Sequence, residues 1–148
     1  MITLQPIDKD NWTQSIRLKA KTEQQSFIAP NLYSIAQVQF LDNFEAMAIY
    51  DDTTMVGFTM YGKDSDDGHY WMYRFMIDAD YQGKGYGKQA LQLVMEAIRN
   101  KPDRTDMMML SYEPGNELGR QIYAKAGFEE IGITSWSEGE VVAQYRIQ

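Results

Sequence analysis

Three glycines at alternate positions, Gly83, Gly85 and Gly87, are interleaved with Lys84, Tyr86 and Lys88 in the stretch DADYQGKGYGKQAL, residues 78–91. The apolar run YRFMID ahead of it reads as a strand ending near Asp78, and the run behind it as a helix beginning near Gly85. The first N–H groups of a helix have no partner inside it, and the aligned peptide dipoles leave partial positive charge there. Glycine removes the Cβ atoms that would hold an anion away from those groups. The two lysines reverse the sign of the charge locally in an otherwise acidic chain. The chemistry this combination suits is the binding of a phosphate; a glycine turn that binds nothing is the competing reading. Two phosphate templates fail on spacing. A nucleotide P-loop continues Gly-Lys with Ser or Thr, whereas Lys88 is followed by Gln89. A dinucleotide fingerprint has G-x-G-x-x-G in an early strand–helix unit, whereas this chain has G-x-G-x-G late in its length.

A second constellation lies downstream in NELGRQIYAKAG. Asn116, Arg120 and Tyr123 stand at i, i+4 and i+7 and so share one helix face, with Ile122 out of phase and free to pack inward. Asn116 is placed to cap that helix, alone or while also touching a ligand, and Gly127 to end it. His69 is the only imidazole. It stands at the far end of its strand, so a structural or exposed role is expected over one as a base.

These residues need a scaffold. ITLQPI (2–7) alternates apolar and polar as a half-buried strand does, and DNWTQSIRLK (10–19) reads as a short helix. NLYSIAQVQFLDN (31–43) reads as a second helix, with Ser34 as N-cap ahead of Ile35, Val38 and Leu41. EAMAIY and MVGFTMYGK flank the polar turn DDTT as an antiparallel hairpin, and the polar loop DSDDG leads into the strand HYWMYRFMID. Leu91, Val94, Met95 and Ile98 mark one apolar face of the helix after the glycines. DMMMLSY, FEEIGI and VVAQYRI are further strands, the last two a closing hairpin. The expected order is β-α-α-β-β-β-α-β-α-β-β, an α/β (α+β) fold with a mixed, mostly antiparallel seven-stranded sheet flanked by helices.

Length and charge narrow the function classes. With 148 residues, 44% of them hydrophobic, the chain suits one globular domain over residues 1–148. No cysteine and one histidine exclude a disulfide framework and a thiolate site, and argue against a multi-histidine metal centre or a Ser-His-Asp triad. No metal is therefore expected. A net charge of −7 argues against nucleic-acid binding and is compatible with a cationic small-molecule partner, since an acidic cleft concentrates such ligands; a surface that serves solubility alone is the competing reading. No apolar run approaches the roughly 18 residues of a membrane span, so no membrane association and a cytoplasmic location are expected.

The pattern Gln82-x-x-Gly85-x-Gly87 resembles the pyrophosphate loop of the GCN5-related N-acetyltransferases. FMIDADYQGKGYGKQAL and NELGRQIYAKAGFEEIG resemble two successive blocks of that family, and the element order agrees; the resemblance is strongest over residues 71–132. It implies acetyl-coenzyme A as cosubstrate, held by Gln82, Gly83, Lys84, Gly85, Tyr86, Gly87, Lys88 and Asn116. It also implies that backbone groups of Phe75, Met76 and Ile77 bond the pantetheine arm where this strand splays from its neighbour, with the EPGN turn (113–116) helping to open the gap. Tyr123 is implied as the general acid that reprotonates the leaving thiolate.

Within the family, TEQQSFIAPNLYSIAQ, VGFTMYG and WMYRFMIDADYQGKGYG are similar to bacterial spermine/spermidine acetyltransferases. A polyamine acceptor would need carboxylates interleaved with aromatics, for which Glu23, Phe27, Tyr33, Tyr73, Tyr112 and Glu113 are the candidates. The strand position often acidic in such enzymes is Tyr73, followed by Arg74, so the amine proton is left to water, Glu113 or solvent. Other acceptors in view are an aminoglycoside-like drug, an amino acid or a protein N-terminus; a coenzyme A-binding module without turnover is the non-enzymatic alternative. Family members are often dimers, which makes a homodimer a further implication.

Overall fold

The computed structural model describes residues 1–147. Seven strands run as β1 (Ile2–Pro6), β2 (Phe44–Asp51), β3 (Thr54–Lys63), β4 (Tyr70–Ile77), β5 (Met107–Tyr112), β6 (Glu129–Ile133) and β7 (Val141–Arg146). Four α-helices, α1 (Trp12–Ser15), α2 (Asn31–Val38), α3 (Tyr86–Arg99) and α4 (Glu117–Lys125), occur in the order the sequence implies. The sheet order is β1-β2-β3-β4-β5-β7-β6, antiparallel throughout except for the β4–β5 pair.

Each face of the sheet is covered by what the apolar periodicity supplies. Leu91, Val94, Met95 and Ile98 of α3 are buried against Met72, Met108 and Leu110, with Tyr123 of α4 in the same cluster. On the other face Ile35 and Val38 of α2 pack against Phe58, Met60 and Met76.

Two irregularities in β4 make room for a site. The register with β3 shifts between Met60 and Tyr61: Met60 opposes Arg74, Tyr61 opposes Met72, and Tyr73 has no partner. Such a bulge reverses the facing of the residues beyond it. Tyr70 and Met72 face the α3 side before it, Phe75 and Ile77 after it. The consecutive pair Tyr73 and Arg74 is thereby sent toward the α2 side. The second irregularity is a fork. β4 and β5 pair only at Tyr70–Met108, Trp71–Met109 and Met72–Leu110, so β4 runs on to Ile77 without a β5 partner. β5 instead leaves through a turn in which the Asn116 amide donates to the Glu113 carbonyl at 2.9 Å.

Gly57 sets the spacing behind this strand end. It pairs with Ile77, and a Cβ there would stand 2.4 Å from the Met76 carbonyl oxygen. Gly57→Ala is therefore expected to cost about 1–3 kcal/mol, the usual range for overpacking, read as a lower urea midpoint at unchanged slope.

Three local expectations are corrected. The helix expected over 10–19 is confined to Trp12–Ser15. Downstream, Lys19 is pinned in extended fashion to the loop after β4, its amide donating to Asp78 Oδ1 and its carbonyl accepting from the Ala79 amide, both at 2.8 Å. The second helix begins at Asn31 after Pro30, ends at Val38, and carries Ser34 inside it, buried and without a hydrogen bond from Oγ. Proline, pre-set in φ and lacking an N–H, starts the turn that Ser34 was expected to cap. Thr22–Phe27 and Ala79–Tyr81 form 3-10 turns that periodicity does not signal.

Candidate active site

The segment between β4 and α3 is built from its turn residues. Asp78 accepts from the Asp80 amide at 3.2 Å to start the 3-10 turn Ala79–Tyr81. Gln82 then folds back, its Nε2 donating to the Ile77 carbonyl at 2.9 Å and to Gln24 Oε1 at 2.8 Å. Gly83 (φ 81°) and Gly85 (φ 82°, the N-cap of α3) adopt the left-handed conformation that glycine alone enters freely. A Cβ at Gly83 would meet nothing within 4 Å, so its absence leaves open space rather than relieving a clash. The backbone N–H groups of Gly83 through Lys88 donate to no acceptor among the described residues. A row of unpaired donors at the start of a 14-residue helix, beside Lys88, fits a pyrophosphate in number and in charge.

These residues open onto a groove of about 430 Å³ along β4, α3 and α4. Phe75, Met76, Ile77, Gln82, Gly83, Gly85, Tyr86, Gly87, Lys88 and Asn116 all line it. Lys84 does not; its ammonium turns back to lie 5.7 Å over the Tyr81 ring. Lys21, Gln24, Leu118 and Ile122 line the groove as well and had no signal in the sequence. Ile122 was expected out of phase with the site, but its Cδ1 stands 3.6 Å from where a Cβ at Gly87 would be, which puts it on the groove wall. Arg120 instead points to Glu130, with Nε 2.9 Å from Oε1.

A larger cavity, about 730 Å³, lies on the α2 side of the fork. Of the candidates for an acceptor site, Phe27, Tyr73 and Tyr112 line it, and Glu23, Tyr33 and Glu113 do not. Glu23 is exposed in the turn Thr22–Phe27, Tyr33 is 58% exposed, and Glu113 is carried away by the turn that leaves β5. The cavity's carboxylates come from two loops: Asp64, Asp66 and Asp67 between β3 and β4, and Glu138 and Glu140 between β6 and β7. Trp71, at the start of β4, and Trp136, in the β6–β7 loop, meet edge to face at 6.0 Å. The Tyr73 hydroxyl donates to Asp64, and burial with that carboxylate pushes its pKa upward. Arg74 is the only cation among the lining residues. Its guanidinium donates to the Tyr73 carbonyl at 2.9 Å and to Gln37 Oε1 at 3.0 Å, with no carboxylate within ion-pair distance. Burial lowers its pKa from the ordinary arginine value.

The groove and the cavity meet at Ile28, Phe75, Asn116 and Tyr123, which line both. Asn116 Oδ1 accepts from the Gly119 amide at 3.1 Å, so the capping role is occupied while the residue still borders the site. Tyr123 is buried between the rings of Tyr112 (5.6 Å) and Phe128 (6.1 Å). Burial, reinforced by the neighbouring Tyr112, raises its pKa above the ordinary phenol value. Its hydroxyl has no hydrogen-bond partner among the described residues. Tyr123 is thus a protonated donor at the join between a groove lined by unpaired backbone N–H groups and an acid-lined cavity. His69 lines neither.

A model of the acetyltransferase (GNAT) family matches residues 9–128. A spermine/spermidine N(1)-acetyltransferase of Bacillus subtilis (strain 168) is 25% identical over 149 residues, covering 97% of each chain. Among solved structures, the aminoglycoside acetyltransferase AAC(6')-Ib in complex with coenzyme A superimposes with a TM-score of 0.80 at 16% identity, over 99% of this chain and 95% of the other. The ribosomal-protein-S18-alanine N-acetyltransferase of Escherichia coli does so at 0.74 and 15%, over 100% and 95%. Among the described residues no helix is long and apolar enough to cross a membrane, and no group of three or more His, Asp or Glu side chains is placed to hold a metal ion.

Proposed function

The chain belongs to the acetyltransferase (GNAT) family, and we propose that it transfers acetyl from acetyl-coenzyme A to a primary amine of a small polycationic acceptor, a polyamine of the spermine/spermidine class. The observation that carries this reading is the meeting, at Phe75, Asn116 and Tyr123, of a groove that suits an anion with a cavity that suits a cation. Acetyl-coenzyme A supplies the acetyl group as a thioester. The unpaired N–H groups of residues 83–88 and the side chain of Lys88 suit its pyrophosphate. The edge of β4 beyond Met72, free of β5, suits the amides of the pantetheine arm, as an exposed strand edge suits any added extended partner. Tyr123 holds a proton where a thiolate would leave. Burial keeps this proton on the phenol and equally disfavours a bare thiolate or a bare phenolate, so the proton has to reach sulfur as the C–S bond breaks and be replaced from the amine nitrogen.

On the acceptor side five carboxylates face one guanidinium, and Trp71, Tyr73, Tyr112 and Trp136 stand among them. A polyamine, several ammonium groups on an apolar chain, is the ligand such a mixture of carboxylates and aromatic faces attracts. Long-range attraction by exposed carboxylates is screened by salt, with a Debye length of about 10 Å at 0.1 M. KM for spermine is therefore expected to rise with ionic strength severalfold more than KM for a monoamine such as butylamine. Equal salt dependence would mean that the loop carboxylates do not act on the acceptor.

One residue favours a second reading. Arg74 lines the cavity without a carboxylate partner, which suits an acceptor that brings its own carboxylate, as an amino acid does. A panel of amines with acetyl-coenzyme A and thiol detection tests both readings, since 1,5-diaminopentane and lysine differ only by that group. Turnover of spermidine and 1,5-diaminopentane over lysine supports the polyamine reading; a preference for lysine reverses it.

A further inference from the structure

An amine attacks a thioester only when its nitrogen lone pair is free, and at neutral pH an alkyl amine carries a proton on that nitrogen. Neither Tyr123 nor the groove residues remove it. β4 contains no carboxylate, and its bulge sends Tyr73 and Arg74 into the cavity. Resting on the acetyltransferase reading, we infer that Glu140, in the loop before β7, is the base that takes the ammonium proton.

The five cavity carboxylates are not equivalent. Asp64 has both oxygens engaged, Oδ2 by the Tyr73 hydroxyl and Oδ1 by the Asp66 amide at 2.7 Å. Asp67 is likewise engaged, Oδ1 by the His69 amide and Oδ2 by Trp71 Nε1, both at 2.8 Å. These two fix the conformation of their loop. Asp66 and Glu138 are exposed on loop tips. Glu140 alone is partly buried with one oxygen held and the other open: Oε1 accepts from Ser111 Oγ at 2.6 Å, and Oε2 has no donor among the described residues.

Its backbone is fixed as well. The Glu140 amide donates to the Ser137 carbonyl at 3.0 Å, and its carbonyl accepts from Ser137 Oγ at 2.8 Å. Ser111 and Tyr112 are consecutive on β5 and send their side chains to opposite faces of the sheet, yet Ser111, Glu140 and Tyr123 all line the one cavity, which wraps the open end of the fork. The charged groups around it are Arg74 on β4, Glu138 in its own loop and the three aspartates of the opposite loop. Arg74 closes no ion pair with Glu140, its guanidinium donating instead to the Tyr73 carbonyl and Gln37 Oε1, which leaves Oε2 to a ligand.

The proton and electron count closes on these residues. One ammonium proton passes to Glu140, and the freed nitrogen lone pair forms the C–N bond at the acetyl carbonyl carbon as the C–S bond breaks. Tyr123 gives its proton to sulfur, and the second nitrogen proton restores the phenol. Glu140 then releases its proton to solvent.

The test is the pH dependence of kcat with spermidine for wild type, Glu140→Gln and Glu140→Asp. At about pH 7 Glu140→Gln is expected to lose about 100- to 10,000-fold in kcat, the usual worth of a positioned base. That deficit should shrink about tenfold per pH unit up to about pH 9, as hydroxide replaces the missing base. Glu140→Asp, which keeps the carboxylate, should fall only about tenfold and retain the wild-type profile. A deficit constant at every pH, or one confined to KM, would show that Glu140 only binds or only packs and would overturn the inference. Should Glu140→Gln not fold, the aspartate variant decides, and an unchanged kcat there also overturns it. A wild type that turns over no amine overturns the acetyltransferase reading together with the inference; a wild type that turns over spermidine beside an undiminished Glu140→Gln overturns the inference alone.

Discussion

Tyr123→Phe is expected to lower kcat by about 100-fold or more while leaving KM for both substrates within about threefold. The ring is buried between Tyr112 and Phe128, and phenylalanine keeps that packing. The hydroxyl makes no hydrogen bond to the described residues, so its removal strands no partner and the melting temperature should move little. What is lost is the proton at the join of groove and cavity. The sign of the pH effect is set by the environment. Burial raises the phenol pKa, so the acid form is retained through the whole range in which an ordinary tyrosine, near 10, would begin to ionise. Any alkaline loss of wild-type kcat below about pH 10 should then come from another group, and should survive unchanged in the residual activity of the variant. A variant with wild-type kcat would assign Tyr123 to packing alone.

Gly85→Asp is the second large effect, and it falls on the other substrate. Gly85 is the N-cap of α3, and a Cβ there would meet only Gln89 Nε2, at 3.9 Å, so space is not the obstacle. Aspartate is among the residues that tolerate left-handed backbone best, which keeps the cost to the fold low. Its carboxylate would stand among the unpaired N–H groups of residues 83–88, compete for them and repel an incoming pyrophosphate. Charge-assisted hydrogen bonds are worth about 1.5–3 kcal/mol each, so KM for acetyl-coenzyme A should rise by about 100-fold or more, with a smaller change in kcat. Gly85→Asp at wild-type KM would mean that the loop cradles no anion.

What the sequence made legible was whatever local chemistry dictates. The apolar face of α3, the β2–β3 hairpin around its polar turn, the glycine loop and the Asn116 and Gly127 ends of α4 each rest on residues near in the chain, and each is found where expected. For the candidate site, the structure brings together what is local in the chain. The expected groove residues other than Asn116 are close neighbours on the β4–turn–α3 unit, and all but Lys84 line the groove. The acceptor cavity depends on distant pieces, and there the reading failed in part. Glu23, Tyr33 and Glu113 were chosen for their type, but the acids that face the cavity come from two loops distant in the chain, β3–β4 and β6–β7, which only the folded sheet brings together. DSDDG had a usable signal: a hairpin loop closed by its own aspartates returns to the start of β4, beside Trp71 and Tyr73. Glu140 had none, because its place depends on Ser111, 29 residues away. Lys19 shows the same limit for secondary structure, since its backbone bonds go to Asp78 and Ala79 rather than into a helix.

On the proposed function, this chain joins a groove for coenzyme A to a cavity for a polycation so that acetyl passes between them. The most direct test is purified protein with acetyl-coenzyme A and spermidine, tracking free thiol and the mass of the polyamine together. Catalytic thiol release matched one for one by monoacetylated spermidine is the predicted result. Coenzyme A binding without acetylation of any amine in the panel would contradict it.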